Sequence, residues 1–427
     1  MIGIAQARRM LARCTIALAL LALTAEQSLA QTAAVETLGE VRVHGNHTTP
    51  DDVVLSLAGL TIGTPVTDTM LAQAEDRLRK SGRFADVEVR KRFRSLDNPG
   101  DVLAIVLVDE LTAVSSDDLL PGPLKRVTSA GMWLPILNYA DGYGFTYGGR
   151  VSFVNGLGPR SRISVPLTWG GERKAAVELD RTFDSGPFTR ISGSLGISRR
   201  VNPFFDFSDI RNEAEARAER ALTPYLRVGG TTRVTYVRSP VEERHITPGV
   251  DVVLDTRIDP AFPRNAVHVV AGFEQLRFEH SPHVRRWTTD ARGYVGLIGP
   301  SVLAVRAVTS QASDALPGYE QALLGGTESL RGYDFGYRAG DNLTAFSAEV
   351  RVPLTSPVRV GRFGVKGFVD TGTVYGSGQK LSDQHFDRGI GGGVFFTATV
   401  VRAGLDVAWA NNGSNSPRWH FGLGVTF

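Results

Sequence analysis

The sequence predicts a mainly β protein: a transmembrane β-barrel of about sixteen antiparallel strands, preceded by one small α+β module of order β-α-α-β-β. Three observations carry that reading. The chain opens on a secretory leader. From about Ser129 onward it runs in alternating segments of roughly ten residues, broken by Gly, Asn, Asp, Pro and Ser. Its final stretch, Trp419 to Phe427, alternates apolar and polar residues and finishes on an aromatic.

Arg8, Arg9 and Arg13 precede the apolar run Thr15 to Ala25, and Ser28-Leu29-Ala30 offers small residues for cleavage. Residues 1–30 therefore read as a signal peptide. A run of about ten residues is half of what a transmembrane helix requires. The single cysteine, Cys14, lies ahead of the apolar core rather than after a lipobox, so the exported chain is expected to hold no cysteine and no disulfide framework. A large closed barrel does not need one. The formal charge is +3, and the leader's three Arg and one Glu supply +2 of it, so the remainder gives no indication of nucleic-acid binding. With 42% hydrophobic residues and no apolar stretch beyond the leader long enough for a spanning helix, a helical membrane protein is excluded.

Residues 36–112 read as the α+β module. Glu40-Val41-Arg42-Val43 alternates as a strand, and His44-Gly45-Asn46 turns the chain. Thr49 is expected to cap a helix with Pro50 at its first position. Asp51 and Asp52 fall in its first turn, where unsatisfied amides and the helix dipole favour acids, and Gly59 ends it. A second helix begins near Asp68, places Leu71, Ala74 and Leu78 on one face, and stops at Gly82 with Lys80 near its negative end. Two strands follow, Phe84 to Phe93 and Val102 to Asp109, joined by Ser95-Leu96-Asp97-Asn98-Pro99-Gly100. This order, that turn and Gly82-Arg83-Phe84 resemble a POTRA domain, the periplasmic module of outer-membrane assembly factors.

Residues 113–127, with Pro121 and Pro123 and little periodicity, read as a linker into a barrel of residues 128–427. Where charged and apolar residues share a strand the alternation is clear. Ala175, Val177 and Leu179 oppose Glu178 and Asp180; Ala291, Val295 and Leu297 oppose Asp290 and Arg292; Phe346, Ala348, Val350 and Val352 oppose Ser347, Glu349 and Arg351. A Lys or Arg on the lipid face near the bilayer centre costs about 2–4 kcal/mol, so the charged faces are expected to line the lumen. Around Glu274 to Phe278 the alternation breaks, which suggests a bulge or a strand extending beyond the membrane.

In the last segment Trp419, Phe421, Leu423, Val425 and Phe427 alternate with His420, Gly422, Gly424 and Thr426. His420, Gly422, Val425 and Phe427 resemble the C-terminal signal by which outer-membrane barrels are recognised for insertion. First and last strands meet at a seam, where Pro135, Gly422 and Gly424 are expected to weaken the pairing.

The longest loop-like stretch between strands contains Gly325-Gly326-Thr327-Glu328-Ser329-Leu330-Arg331-Gly332-Tyr333. Here the chain resembles the BamA/TamA outer-membrane assembly factor superfamily, of the bacterial surface antigen type, which also includes the two-partner secretion translocators. The resemblance implies a loop between the eleventh and twelfth strands that folds back into the barrel and presents Arg331, Gly332 and Tyr333. It pairs the arginine with acids on the inner wall of the next strands, and Glu349 and Asp370 fall on the lumen side. A guanidinium in a confined lumen favours bidentate carboxylates, and Gly332 lets the backbone approach the wall. Asp255-Thr256-Arg257 with Pro260, Phe262 and Pro263 also resembles the family's eighth-strand region. The chain departs from the better-known members in carrying a single POTRA-like module.

Enzyme signatures are absent where they are sought. Ser194 in Ser192-Gly193-Ser194-Leu195-Gly196 lacks the first glycine of a nucleophile elbow, Gly391-Gly392-Gly393 lacks dinucleotide-loop spacing, and His280 and His283 have no third ligand nearby. The expectation is a non-enzymatic protein of the Gram-negative outer membrane, its small module in the periplasm, without catalytic residues, metal or cofactor. It would insert or translocate polypeptides, the POTRA-like sheet taking a client as an added strand and the seam or lumen passing it on. Its partners would be unfolded outer-membrane or secreted polypeptides, outer-membrane lipid and periplasmic accessory proteins, with no nucleic acid. The alternatives are a two-partner-type translocator for one exoprotein and a passive or structural pore.

Overall fold

The computed structural model describes residues 36–44, 46, 49–94, 100–110, 131–155, 157–354, 361–398, 401–411 and 416–425. The expected leader, residues 1–30, the linker, residues 113–127, and Phe427 lie outside them. The first element, β1 (Thr37–His44), leads into helices α1 (Asp51–Ala58) and α2 (Asp68–Lys80) and then strands β2 (Phe84–Phe93) and β3 (Asp101–Glu110). β3 is central, parallel to β1 and antiparallel to β2. The helices cover one face of this sheet because their buried residues recur at helical spacing. Val54 and Ala58 of α1 and Leu71, Ala74 and Leu78 of α2 close over Leu38, Val87, Val102 and Val106.

The first cap differs from the sequence expectation by one position. Pro50, not Thr49, occupies the cap of α1, with extended backbone at φ −60 and ψ 149. Its carbonyl accepts from Val53 and Val54 N–H, and the missing proline N–H is no loss at a place where helical amides have no intrahelical partner. Helix α2 ends at Lys80 with Ser81 as its cap, two residues short of Gly82. The Thr67 hydroxyl accepts from Met70 N–H at its start, 3.2 Å.

Sixteen antiparallel strands form the closed barrel: β4 (Gly131–Ala140), β5 (Gly144–Val154), β6 (Ser161–Gly170), β7 (Glu172–Thr182), β8 (Arg190–Val201), β9 (Ser208–Ala221), β10 (Leu226–Ser239), β11 (Glu243–Asp255), β12 (Ala266–Phe278), β13 (Val284–Gly296), β14 (Val302–Ala312), β17 (Asn342–Pro353), β18 (Gly361–Tyr375), β19 (Asp387–Ala398), β20 (Val401–Ala410) and β21 (Arg418–Val425). The period of two does the sorting. Trp169, Val177, Leu195, Val250 and Trp287 stand exposed on the outer face. Inside, Glu178 meets Lys174 and Arg150, each at 3.0 Å, and Asp290 meets Arg292 and Arg306 at 2.6 and 2.9 Å. No helix among the described residues is long and apolar enough to cross a membrane; the strands do the crossing.

At Glu274–Phe278 there is no bulge: β12 keeps its register with β13 throughout. What changes is the inner face. Glu274 still bonds Arg286 at 2.5 Å, but Leu276 and Phe278 point inward into an apolar cluster with Val237, Val284, Leu316 and Tyr319. The inner wall turns apolar there because the long loop after β14 packs against it. That loop, residues 313–341, carries a short hairpin, β15 (Ala322–Leu324) with β16 (Arg338–Gly340), around a single turn of helix, α3 (Gly326–Ser329). At the opposite end the turn 256–265 after the eighth barrel strand, β11, buries Phe262 against Phe93 of the small module. Arg362 joins the two units, donating to Phe93 O at 2.8 Å and to Asp259 at 2.9 Å.

Candidate functional site: a loop anchored inside the barrel

Arg331 follows α3 at the tip of the long loop and reaches the inner wall. Leu330, Tyr333 and Leu324 of the loop bury themselves against Leu343, Ala345 and Val374 of β17 and β18, which carries the guanidinium into the lumen. There its five N–H donors are all used. Nε and Nη2 grip Asp370 in a bidentate pair at 2.7 and 2.9 Å, Nη1 donates to Glu349 at 2.7 Å and Asp406 at 3.1 Å, and Nη2 also reaches Ser347 Oγ at 3.2 Å. The Arg331 backbone N–H adds a bond to Asp370 at 3.1 Å, and the ring of Phe368 lies 3.3 Å from the guanidinium carbon.

Charge in this cluster balances. Arg351 donates to Glu349 at 2.7 Å and Lys366 approaches Asp406 at 2.9 Å, so three cations face three carboxylates with no ion left over. Such a set holds only while complete, since removing one partner of a buried ion pair typically costs about 3–5 kcal/mol. Two glycines let the backbone come this close. Gly332 sits at φ +95 with the Trp409 carbonyl 3.0 Å from where a Cβ would be, and a Cβ on Gly389 would lie 1.9 Å from the Arg331 carbonyl oxygen.

A second set of bonds joins the loop to both strands of the seam. Gly332 N–H donates to His420 Nε2 of β21 at 2.9 Å. Because Nε2 accepts, the ring proton is on Nδ1, which donates to Asp141, next after β4, at 2.9 Å. The same Asp141 oxygen accepts from Thr327 N–H at 2.9 Å. Arg418 of β21 ion-pairs with Asp334, and Phe335 lies against Tyr143 with ring centroids 5.4 Å apart. The loop is thus a strap laid across the join. Across the join, Leu423 opposite Tyr139 and Gly424 opposite Asn138 are the registered pairs among the described residues. On the outer face Tyr139, Phe145 and Phe421 form a triangle of rings, 4.9, 5.1 and 6.1 Å between centroids.

A closed antiparallel barrel behind one α+β module, with an arginine-tipped loop folded into its lumen, sets the frame for comparison with known proteins. A family model described as the Omp85 superfamily domain matches residues 146–427, and one described as the surface antigen variable number repeat, the POTRA family, matches residues 36–110. The chain belongs to the Omp85 superfamily. Solved structures share the fold. BamA from Haemophilus ducreyi lacking POTRA domains 1-3 aligns at 13% identity and TM-score 0.60, with 91% of this chain and 84% of that one covered. CdiB from Escherichia coli aligns at 14% and 0.52, covering 92% and 77%, and CdiB from Acinetobacter baumannii at 14% and 0.50, covering 91% and 73%. No curated protein matches the chain in sequence. As an Omp85 protein it lies in the outer membrane of a Gram-negative bacterium with its POTRA domain in the periplasm. The barrel end that meets Phe93 is therefore periplasmic, and the Arg331 loop enters from the extracellular end.

This Omp85 barrel brings together Arg331, Gly332, Glu349 and Asp370, as read from the sequence. Tyr333 is buried beside them, tilted against Tyr337 at 4.7 Å. His420, read as part of an insertion signal, is also the strap's acceptor. Gly422 and Gly424 lie in β21 with open space where a Cβ would be, so no steric demand explains them. Val425 pairs through its backbone with Val401. Pro135 stands opposite Gly149 of β5, and the seam pairs among the described residues lie at Tyr139 and Asn138.

Ser347 was placed on the lumen face without a role, and Asp406, Phe368 and Asp141 escaped the sequence reading. So did a second anchor of opposite sign in this Omp85 loop. Glu320 accepts from Arg211 at 2.7 Å and Arg286 at 3.2 Å, and Arg211 also donates to Tyr319 O at 2.5 Å. One half of the loop offers an acid to a basic wall, the other a base to an acidic wall. Among the described residues no group of three His, Cys, Asp or Glu is placed to hold a metal.

Proposed function

We propose that this protein is a non-enzymatic factor that inserts or translocates polypeptides at the outer membrane, working without nucleotide or cofactor. In this reading residues 36–112 form the client-receiving domain, 113–127 a linker and 128–427 the barrel, behind a signal peptide of residues 1–30. The observation that carries it is the unequal closure of the barrel. Among the described residues the seam has two registered pairs, beneath a loop bonded to His420 on one side and Asp141 on the other. Strand edges with few ladder bonds are the edges that accept an incoming strand. Release of the strap would free that edge, and the Arg331 cluster would hold the loop until then.

The outer edge of β2 in the POTRA sheet supports the first step. Its backbone is held by side chains of α2 rather than by a further strand: Arg79 donates to Val87 O at 2.7 Å and Val89 N–H donates to Glu75 at 3.3 Å. Side chains on this edge are exchangeable for an extended client, whose backbone bonds tolerate varied sequences. Deleting the gene and comparing the outer-membrane and secreted proteomes tests the reading. Broad loss of outer-membrane barrels is the expected result. Loss of one exoprotein would make the protein a dedicated translocator, and no change in either fraction would leave a passive pore.

A further inference from the structure

Below the Arg331 cluster, at the periplasmic mouth, the lumen wall is basic. A cavity of about 200 Å³ there is lined by Arg257, Arg292, Arg351, Lys366 and Arg402, with Glu349 as its one carboxylate. Four of the five cations are already matched. Arg257 grips Asp255 with two bonds of 2.8 Å, Arg292 grips Asp290 at 2.9 and 2.6 Å, Arg351 donates to Glu349 at 2.7 Å and Lys366 approaches Asp406 at 2.9 Å. Arg402 is not. Among the described residues its one hydrogen bond is a weak one, Nη2 to Pro260 O at 3.3 Å, and no carboxylate comes within ion-pair distance.

With its neighbours paired, the exposed Arg402 guanidinium keeps most of its N–H donors unspent among the described residues, and an oxyanion placed beside it takes them up. Arg402 also lines the larger cavity of about 530 Å³, whose wall includes Tyr139, Leu423 and Gly424 of the seam. In the β20 ladder it stands opposite Gly424. Parity keeps it inside: Arg402 and buried Asp406 share the lumen face, while Leu405 is exposed outward. Lipid phosphates are therefore on the wrong side of the wall. The mouth opens toward the periplasm, next to the contact of Arg362 with Phe93 of the POTRA domain.

We infer that this is an oxyanion site at the foot of the seam, and that its occupant is a carboxylate in an acidic segment of the polypeptide client. This rests on the insertion or translocation reading above. The site holds an acidic stretch of client beside Tyr139, Leu423 and Gly424, with Arg402 as the anchor and Arg257 and Arg351 adding attraction. A neutral stretch is not retained.

The test uses the full chain in nanodiscs with a fluorescent polyglutamate peptide, its polyglutamine counterpart and inorganic phosphate. Polyglutamate is expected to bind and polyglutamine not, with binding weakening as salt rises. Arg402→Gln should weaken polyglutamate binding by about tenfold, the scale of one charge-assisted hydrogen bond. Arg402→Lys should retain most of it, and Arg238→Gln, exposed near the extracellular end of β10, all of it. Heat-modifiable migration on gels verifies that each barrel is folded. Equal binding of polyglutamate to wild type and Arg402→Gln overturns the site, as does equal binding of polyglutamine. Phosphate binding that depends on Arg402 without any binding of polyglutamate overturns the peptide occupant. Failed peptide binding alongside broad barrel loss in the deletion strain would remove this site alone. Peptide binding alongside an unchanged proteome would remove the insertion reading alone.

Discussion

The wall between β12 and β13 and the seam between β21 and β4 are made of the same kind of strand and are held in different ways. Eleven registered pairs run without a shift from Ala266 opposite Tyr294 to Leu276 opposite Val284. At the seam the described pairs are Leu423 with Tyr139 and Gly424 with Asn138. The wall is closed by its own ladder. The seam is closed from its two faces, outside by Tyr139, Phe145 and Phe421 and inside by a loop bonded to His420 and Asp141. A ladder opens only by losing many backbone bonds together, whereas a strap of side chains can be let go while every other strand pair stays intact. Closure of the barrel and strength of the seam are thereby set by different residues.

The largest way to break this contrast is Arg331→Ala, which leaves Glu349, Asp370 and Asp406 buried around an empty place. A loss of about 3–5 kcal/mol is expected, read as a lower denaturant midpoint of the purified barrel. Arg331→Lys should recover part of it, because an ammonium cannot reproduce the bidentate grip on Asp370. Unchanged midpoints would mean that the loop does not depend on this cluster.

His420→Ala should act next, and at the seam alone. It removes the acceptor of Gly332 N–H and the donor to Asp141, worth about 1–3 kcal/mol. Cysteines placed at Asn138 and Gly424 report it by slower disulfide formation, while a wall pair at Val269 and Ala291 serves as the control that should not move. Phe421→Ala should loosen the same reporter less, about 0.5–1.5 kcal/mol for the lost ring contacts. Smallest of all is Pro135→Val. Pro135 is three positions from Asn138, the nearer of the described seam pairs, so cross-linking there should stay as it is, and a faster rate would show that the proline limits the join.

Much of this was legible in the chain because the membrane imposes a sharp rule. Strands with Val177, Trp287 or Phe346 on one side and Glu178, Asp290 or Glu349 on the other can be oriented from parity alone, and parity also put Glu349 and Asp370 on the lumen side, where the family resemblance brings Arg331. Asp406 obeys the same parity, flanked by Leu405 and Val407. It was missed because the lumen holds many acids and only the path of the loop selects among them. His420 and Asp141 are 279 positions apart, and nothing local in either segment signals the partner. At Leu276 and Phe278 the rule misleads: the inner face there is covered by protein instead of water, so apolar residues point inward without any break in register. The cap of α1 moved from Thr49 to Pro50 for a local reason, since either neighbour can supply the extended backbone that precedes a helix.

Amide hydrogen exchange on the wild type and His420→Ala in nanodiscs tests most directly whether the loop, rather than the ladder, holds the seam. Exchange in β4 and β21 should quicken by at least about tenfold in the variant while β12 and β13 keep their protection, because local opening there is set by the strap and not by global stability. Equal loss of protection in both regions, or none in β4 and β21, would contradict it.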